Sequence, residues 1–347
     1  MSSRYRAADF DYPCPPELVA QHPPAVRGTS RLMALDRATG TIAHRGFPDF
    51  PSLLAPGDCL VVNESRVIPA RLTAVRDNGR QAEVLLVHEE PDGTWQAMVH
   101  PGGKLKVGRR VTFAGDGGET GGAGGSPWAE IVEVLGGGLR RVRFHGADAR
   151  AIMGRFGAVP LPPYIDRLPG PEDVERYQTV YAKTEGSIAA PTAGLHFTPA
   201  LLDAIRARGV TIAEVTLHVG PGTFKPVETN DPADHVMHAE WYDIPATTTA
   251  IIRRTRQDGG KVWAVGTTAC RVLETADAGS GWTALFVYPP YTFRAVDGLL
   301  TNFHLPRSTL LMLVAAFAGY DLTMEAYRQG VAQGYRLYSY GDAMAVS

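Results

Sequence analysis

The rhythm of apolar and polar residues changes twice along this chain. From about Ile68 the apolar residues alternate with polar ones in short runs, and turn residues punctuate the runs. Arg71 to Arg76 and Gln81 to His88 flank Asp77-Asn-Gly79, a hairpin signature with an Asn-Gly turn. Pro91-Asp-Gly93 makes the next turn before Trp95 to Val99, and Arg110 to Phe113, Trp128 to Leu135 and Leu139 to Phe144 follow. This succession predicts a small barrel or sandwich. The glycine-rich stretch 115–126 reads as a flexible hairpin tip.

Outside that region strands and helices alternate. Helical spacing predicts helices over Ala147–Phe156, Asp173–Tyr181, Pro199–Arg208, Thr247–Gln257, Thr267–Asp277, Ser308–Phe317 and Leu322–Gln333. Strands are predicted over Val210–Leu217, Val262–Val265, Ala284–Tyr288 and Leu337–Tyr340. Nearer the N-terminus, Pro15 to Gln21 reads as a short helix, Arg31–Asp36 with Thr41–His44 as a hairpin, and Gly57 to Asn63 as a buried strand. Alternation of this kind argues for α/β structure. The expected architecture is a large α/β domain formed by both chain ends, 1–67 and 147–347, with a small all-β barrel domain inserted at 68–146.

Composition narrows the function classes. The chain has 347 residues, 44% of them hydrophobic, and a net charge of -2, so no global basic field announces a nucleic-acid partner. A local patch still can: Lys104, Lys106, Arg109 and Arg110 include no acid among their neighbours, and Arg140, Arg141 and Arg143 add to them. A solvated barrel face is the plainer reading. Three scattered cysteines form no CxxC pair, which fits a reducing compartment, and the first ten residues show no apolar signal core. The longest apolar run, Leu310 to Gly319, falls short of the roughly 18 residues of a membrane span. No metal site is expected, since His235 and His238 make at most half a ligand set.

Candidate chemistry concentrates between Ser187 and Phe224. Two loops rich in Gly, Thr and Pro each carry a histidine, His196 and His218, beside apolar runs that can hold them rigid. Gly220-Pro-Gly222 lacks the third glycine of a dinucleotide fingerprint, and reads instead as a place where a ligand or backbone comes close. Val262 to Thr268 is a strand, a glycine and a helix start, suited either to an ordinary cap or to a polar ligand. Arg66 and Arg71, at the junction of the two domains, can hold an anion or form an interdomain salt bridge. His304 is a third histidine in a mixed apolar and polar loop.

At these residues the chain closely resembles the S-adenosylmethionine:tRNA ribosyltransferase-isomerases of queuosine biosynthesis. The landmarks are Phe10-Asp-Tyr12, Gln21, Arg27 with Ser30 to Leu32, Asn63 to Leu72, Pro160 to Ile165 and Arg176 to Ala182. Ala190 to Thr198, Leu217 to Phe224, Gly266 to Thr268, Thr301 to Pro306 and Ser308 to Leu311 complete them. Glu64-Ser65, Pro221 and Ala269-Cys270 depart modestly from the family pattern. The family's fold, an α/β domain with an inserted barrel, agrees with the pattern above.

The resemblance implies an unusual reaction. S-adenosylmethionine is consumed as a ribosyl donor and no cofactor is needed. The acceptor is 7-aminomethyl-7-deazaguanine at the wobble position of a tRNA with a GUN anticodon (Asp, Asn, His, Tyr), and epoxyqueuosine, adenine and methionine are the products. His196 and His218 are the expected proton carriers. Substrate contacts are expected from Asn63, Arg66, Thr192, Gly194, Phe197, Thr198, Gly220, Gly222, Thr223, Phe224, Gly266, Thr267, Thr268, Asn302, Phe303 and His304. Arg71, Lys104, Lys106, Arg109 and Arg110 are the expected tRNA contacts. A cytoplasmic monomer without membrane association is expected. The competing readings are another S-adenosylmethionine-dependent enzyme of the same fold, a methyltransferase, and a non-catalytic RNA-binding module.

Overall fold

The computed structural model describes residues 5–113, 126–136, 138–220, 222 and 226–347. Residues 115–125 of the expected hairpin tip, and Thr223 and Phe224, lie outside them. In chain order the strands are β1 (Arg31–Asp36), β2 (Thr41–Gly46), β3 (Cys59–Asn63), β4 (Ser65–Val67), β5 (Arg71–Arg76), β6 (Gln81–Glu89), β7 (Trp95–His100), β8 (Arg110–Thr112) and β9 (Trp128–Gly136). They continue with β10 (Leu139–His145), β11 (Gly157–Ala158), β12 (Thr184–Ser187), β13 (Thr211–Leu217), β14 (Glu240–Ile244), β15 (Val262–Val265), β16 (Gly279–Thr283), β17 (Gly298–Asn302) and β18 (Ala343–Val346). The helices are α1 (Ala149–Phe156), α2 (Asp173–Arg176), α3 (Pro199–Ala207), α4 (Ala246–Gln257), α5 (Gly266–Thr275), α6 (Thr309–Ala318) and α7 (Tyr320–Ala332).

A nine-stranded mixed sheet in the order β16-β14-β13-β3-β15-β17-β18-β1-β2 forms the large α/β part. β13, β3, β15 and β17 run parallel to one another. β3, β15 and β17 are buried along their whole length, as strands covered on both faces must be. Their side chains enter opposite cores by turns. Cys59, Val61, Ala264 and Leu299 join the core with α5, α6 and α7, while Leu60, Val62, Trp263 and Leu300 join the one with α3 and Phe47 to Leu54. Thr198 and Ser308 cap α3 and α6 by accepting from Leu201 N and Leu311 N. α6 is apolar on nearly every face and buried, and no single helix among the described residues is long and apolar enough to cross a membrane.

The second sheet is a closed six-stranded antiparallel barrel, β5-β6-β7-β10-β9-β8, sealed by pairing of β5 with β8. β11 adds to β5. Its core is filled by the inward residues of each strand, such as Leu72, Val84, Ala97, Ile131 and Val142, and by Ile152 and Met153 of α1. The expected α/β architecture with a small all-β barrel is therefore observed.

Several expected elements are displaced. The edge strand β16 is Gly279–Thr283, ahead of the predicted Ala284–Tyr288, because its partner β14 is paired only as far as Glu240 opposite Thr283. Leu337 to Tyr340 is not a strand, since Tyr338 adopts a left-handed backbone, φ 71°, and the strand lies later as β18. The predicted helix at Asp173–Tyr181 stops at Arg176, and only Pro16–Leu18 of the first predicted helix forms a short 3-10 turn.

Gly298 shows how tightly the sheet is packed: a β-carbon there would fall 2.3 Å from the indole of the buried Trp263. Gly298→Ala should therefore lower stability by about 1–3 kcal/mol through overpacking. Urea unfolding checks this, and an unchanged midpoint would show that the neighbouring strands can yield.

Candidate active site

The carboxyl ends of the parallel strands β3, β13, β15 and β17 meet at one edge of the large sheet, where open α/β sheets bind ligands. A cavity with about 600 Å³ of empty space, its open mouth included, lies there. Its walls come from Ala190–Ala193, Val219, Gly266–Thr268, Thr301–Leu305, Ser308, Leu310, Tyr164, Tyr338 and Ser339. Gly266 takes φ 86°, which lets β15 turn directly into α5 and presents Thr267 and Thr268.

Asn302 is the polar centre of this cavity. Its Nδ2 donates to the Tyr338 carbonyl at 3.1 Å and lies 3.2 Å from His196 Nε2. Its Oδ1 is buried and has no hydrogen-bond partner among the described residues, and Asn302 lines the cavity. Such an orphaned acceptor demands an explanation. Beside it Thr301 Oγ1 lies 2.7 Å from His304 Nε2, and the His304 backbone is fixed by Tyr327 and Tyr12. Burial pushes His304 down to about 3.

The three histidines are not equivalent. His196 stands behind Asn302 and does not line the cavity. Its Nδ1 lies 2.6 Å from Ser30 Oγ and its ring 4.9 Å from Phe47. Burial, then the nearby Arg27 cation, lowers it to about 3, so the ring is neutral at pH 7. With Nε2 accepting from Asn302, Nδ1 carries the proton and donates to Ser30. Both ring nitrogens are thus engaged.

His218 follows β13 and faces a second cavity, of about 1000 Å³ with its open mouth included, between the barrel and the large sheet. Its Nδ1 lies 2.8 Å from Ser65 Oγ, and its ring stacks on Trp241 at 5.1 Å and 22°. Burial lowers it to about 4, opposed by the Glu64 carboxylate. Glu64 is itself held by Thr216 Oγ1 and the Thr184 N–H. At Gly186 a β-carbon would come within 2.6 Å of His218 Nε2, so glycine is needed to admit the ring. Val219, the next residue, lines the first cavity, while Gly220 lines the second and donates to Glu240. The buried Glu240 also pairs with Arg271.

The expected site residues therefore divide. Thr192, Gly266, Thr267, Thr268, Asn302, Phe303 and His304 come together around the first cavity, and His218 and Gly220 line the second. Asn63 lies under both, fully buried, with its carboxamide bonded to Ser65, Leu217 and Thr268. Phe197 is a core residue and Thr198 a helix cap. Gly194 and Gly222 make room for Tyr181 and His238. Arg66 is exposed and donates to the Ala182 carbonyl. Tyr164, Tyr338, Trp241 and Trp282 line the cavities without having been singled out in the sequence, where isolated aromatics look like core.

On the barrel, Lys104 and Lys106 are exposed, Arg110 lies 4.4 Å over the Trp128 ring, Arg71 faces Glu83 at 3.6 Å, and Arg109 faces Asp77 at 2.8 Å. Arg140 is buried against the carbonyls of Gly102, Leu105 and Leu139, which removes it from any surface patch. Among the described residues no group of three or more His, Cys, Asp or Glu side chains is placed to hold a metal ion.

Comparison with known proteins matches residues 7–346 to a family described as queuosine biosynthesis protein. An S-adenosylmethionine:tRNA ribosyltransferase-isomerase of Symbiobacterium thermophilum is 51% identical, with 98% of this chain and 99% of the relative covered. The enzyme of the same name from Thermotoga maritima is 48% identical over the same shares. A crystal structure described as S-adenosylmethionine tRNA ribosyltransferase from Thermotoga maritima aligns with a TM-score of 0.55 and 39% identity, covering 98% of this chain and 100% of that one.

The buried imidazoles carry a pH signature. His196 and His304 sit near 3 and His218 near 4, below the ordinary 6.5. In that window the unfolded chain binds more protons than the folded one. Stability is therefore full above about 6.5 and falls as pH drops toward the folded values, by on the order of 2 kcal/mol per ring at pH 5. Thermal scans should show Tm falling from pH 7 to pH 5. His304→Gln, which keeps a polar group beside Thr301, should flatten that fall, and a variant as acid-sensitive as the parent would refute this account.

Proposed function

The chain belongs to the queuosine biosynthesis protein family, and from that premise we propose that it transfers and isomerises the ribosyl group of S-adenosylmethionine onto a tRNA base. The acceptor in this reading is 7-aminomethyl-7-deazaguanine at the wobble position of GUN anticodons, and the products are epoxyqueuosine in tRNA, adenine and methionine. The observation that carries the proposal is the near-full-length similarity, at about half identity, to enzymes named for this activity. We read the enzyme as a cytoplasmic monomer.

The first cavity is the proposed donor site. Thr192, Thr267, Thr268 and Ser308 offer hydroxyls, Phe303, Tyr164 and Tyr338 offer flat apolar walls, and Asn302 Oδ1 offers an unused acceptor. That acceptor suits an amino group of the donor. In the chemistry proposed, the sulfonium acidifies the C5′ hydrogens and a base removes one. The ylide expels adenine and opens the ribose, the aminomethyl nitrogen adds, and ring closure expels methionine. His218, neutral at pH 7 and facing a cavity, is the proposed proton carrier. His196 acts through Asn302, whose amide it orients from behind. Of the five expected tRNA contacts, Arg71 and Arg109 face carboxylates, and Lys104, Lys106 and Arg110 are the ones proposed to meet tRNA phosphates.

Incubation with S-adenosylmethionine and tRNA carrying the aminomethyl base should release adenine and methionine, and tRNA lacking that base should give neither. S-adenosylhomocysteine as product would mean methyl transfer and would overturn the proposal. Asn302→Ala should raise KM for S-adenosylmethionine about tenfold through loss of one buried hydrogen bond. Steady-state kinetics at saturating tRNA check this, and an unchanged KM would remove Asn302 from the donor site.

A further inference from the structure

Pairing of β14 with β16 sets Trp241 directly opposite Trp282, so the two indoles share one face of the sheet. β16 is the outermost strand, and Trp282 is 53% exposed there. Both indoles line the second cavity. Histidines complete the ledge. His88 of the barrel stands edge-on to Trp282 at 4.9 Å and 84°, and His218 stacks on Trp241. The nearby acids each face a guanidinium, Glu89 that of Arg150 (shared with Glu185), Glu90 that of Arg141 (shared with Glu133) and Glu240 that of Arg271. The ledge is thus built of aromatic rings, and each carboxylate beside it faces a guanidinium.

We propose that this interdomain cavity takes one unstacked nucleobase of the tRNA anticodon loop, the acceptor base itself, laid on the Trp241–Trp282 ledge. The proposal rests on the ribosyl-transfer reading above and gives its acceptor a place. A planar heterocycle is the ligand class that such a ledge recognises, because every base offers a π-face to an aromatic side chain. Extrusion into a pocket is how enzymes reach a base otherwise held in its stack. The location suits the chemistry: His218 touches this cavity, and Val219, its chain neighbour, lines the donor cavity. A base on the ledge therefore lies beside the chain segment that also lines the donor cavity.

Two measurements test this. In steady-state kinetics, Trp282→Ala should raise KM for the modified tRNA about tenfold, leave KM for S-adenosylmethionine within about twofold, and be largely rescued by Trp282→Phe. An unchanged KM for tRNA in Trp282→Ala would overturn the proposal. Independently of turnover, the tryptophan fluorescence of the wild-type protein should be quenched by an anticodon stem-loop, and much less by the same stem-loop abasic at the wobble position. Equal quenching by both would also overturn it. Should the wild-type protein release no adenine at all, the ribosyl-transfer reading fails, whereas the stem-loop comparison still reads the ledge.

Discussion

The carboxamide of Asn63 ties the large sheet to both cavities. It sits fully buried at the end of β3, accepts from the Ser65 and Leu217 N–H groups, and donates to the Leu217 carbonyl and to Thr268 Oγ1. One side chain thereby fixes where β3 gives way to β4, where β13 ends, and how the first turn of α5 is set. Each of those three places leads to candidate site residues: Ser65 holds His218, Leu217 precedes it, and Thr268 lines the first cavity. A buried amide with every bond satisfied is rigid, and an unsatisfied one is expensive. The candidate site is therefore built outward from a group that lines neither of these two cavities.

The partners of Glu64 and Glu240 extend this frame. Glu64 binds Thr216 and the Thr184 N–H, joining β13 to β12 beneath His218. Glu240 joins Gly220 to Arg271 of α5. Buried charges are held by partners on different elements, so the residues around His218 keep one arrangement.

Much of the fold was legible because side-chain period reports element type. The barrel strands read as alternation, and β3 and β15 as short continuous apolar runs, since one kind of strand is covered on one face and the other on both. What failed were strands decided by their neighbours. β16 lies ahead of the apolar run 284–288 because β14 is there to pair with it, and Tyr338 leaves the extended region while its N–H and C=O bind Phe303 and Asn302. The motifs pointed to the site but could not apportion it. Gly194 and Gly222 look like ligand-contact glycines yet make room for protein rings, whereas Trp282 looks like core and is exposed.

The segment after β13 puts His218 and Gly220 on one side and Val219 on the other. The linings of the two compartments are thus written in alternate letters of the same few residues. Substitutions there alter one compartment at a time. An insertion or deletion of a single residue would instead exchange the linings, turning an imidazole toward one compartment and an isopropyl group toward the other. The spacing between Leu217 and Gly220 therefore governs both compartments at once, which no single side chain of the segment does.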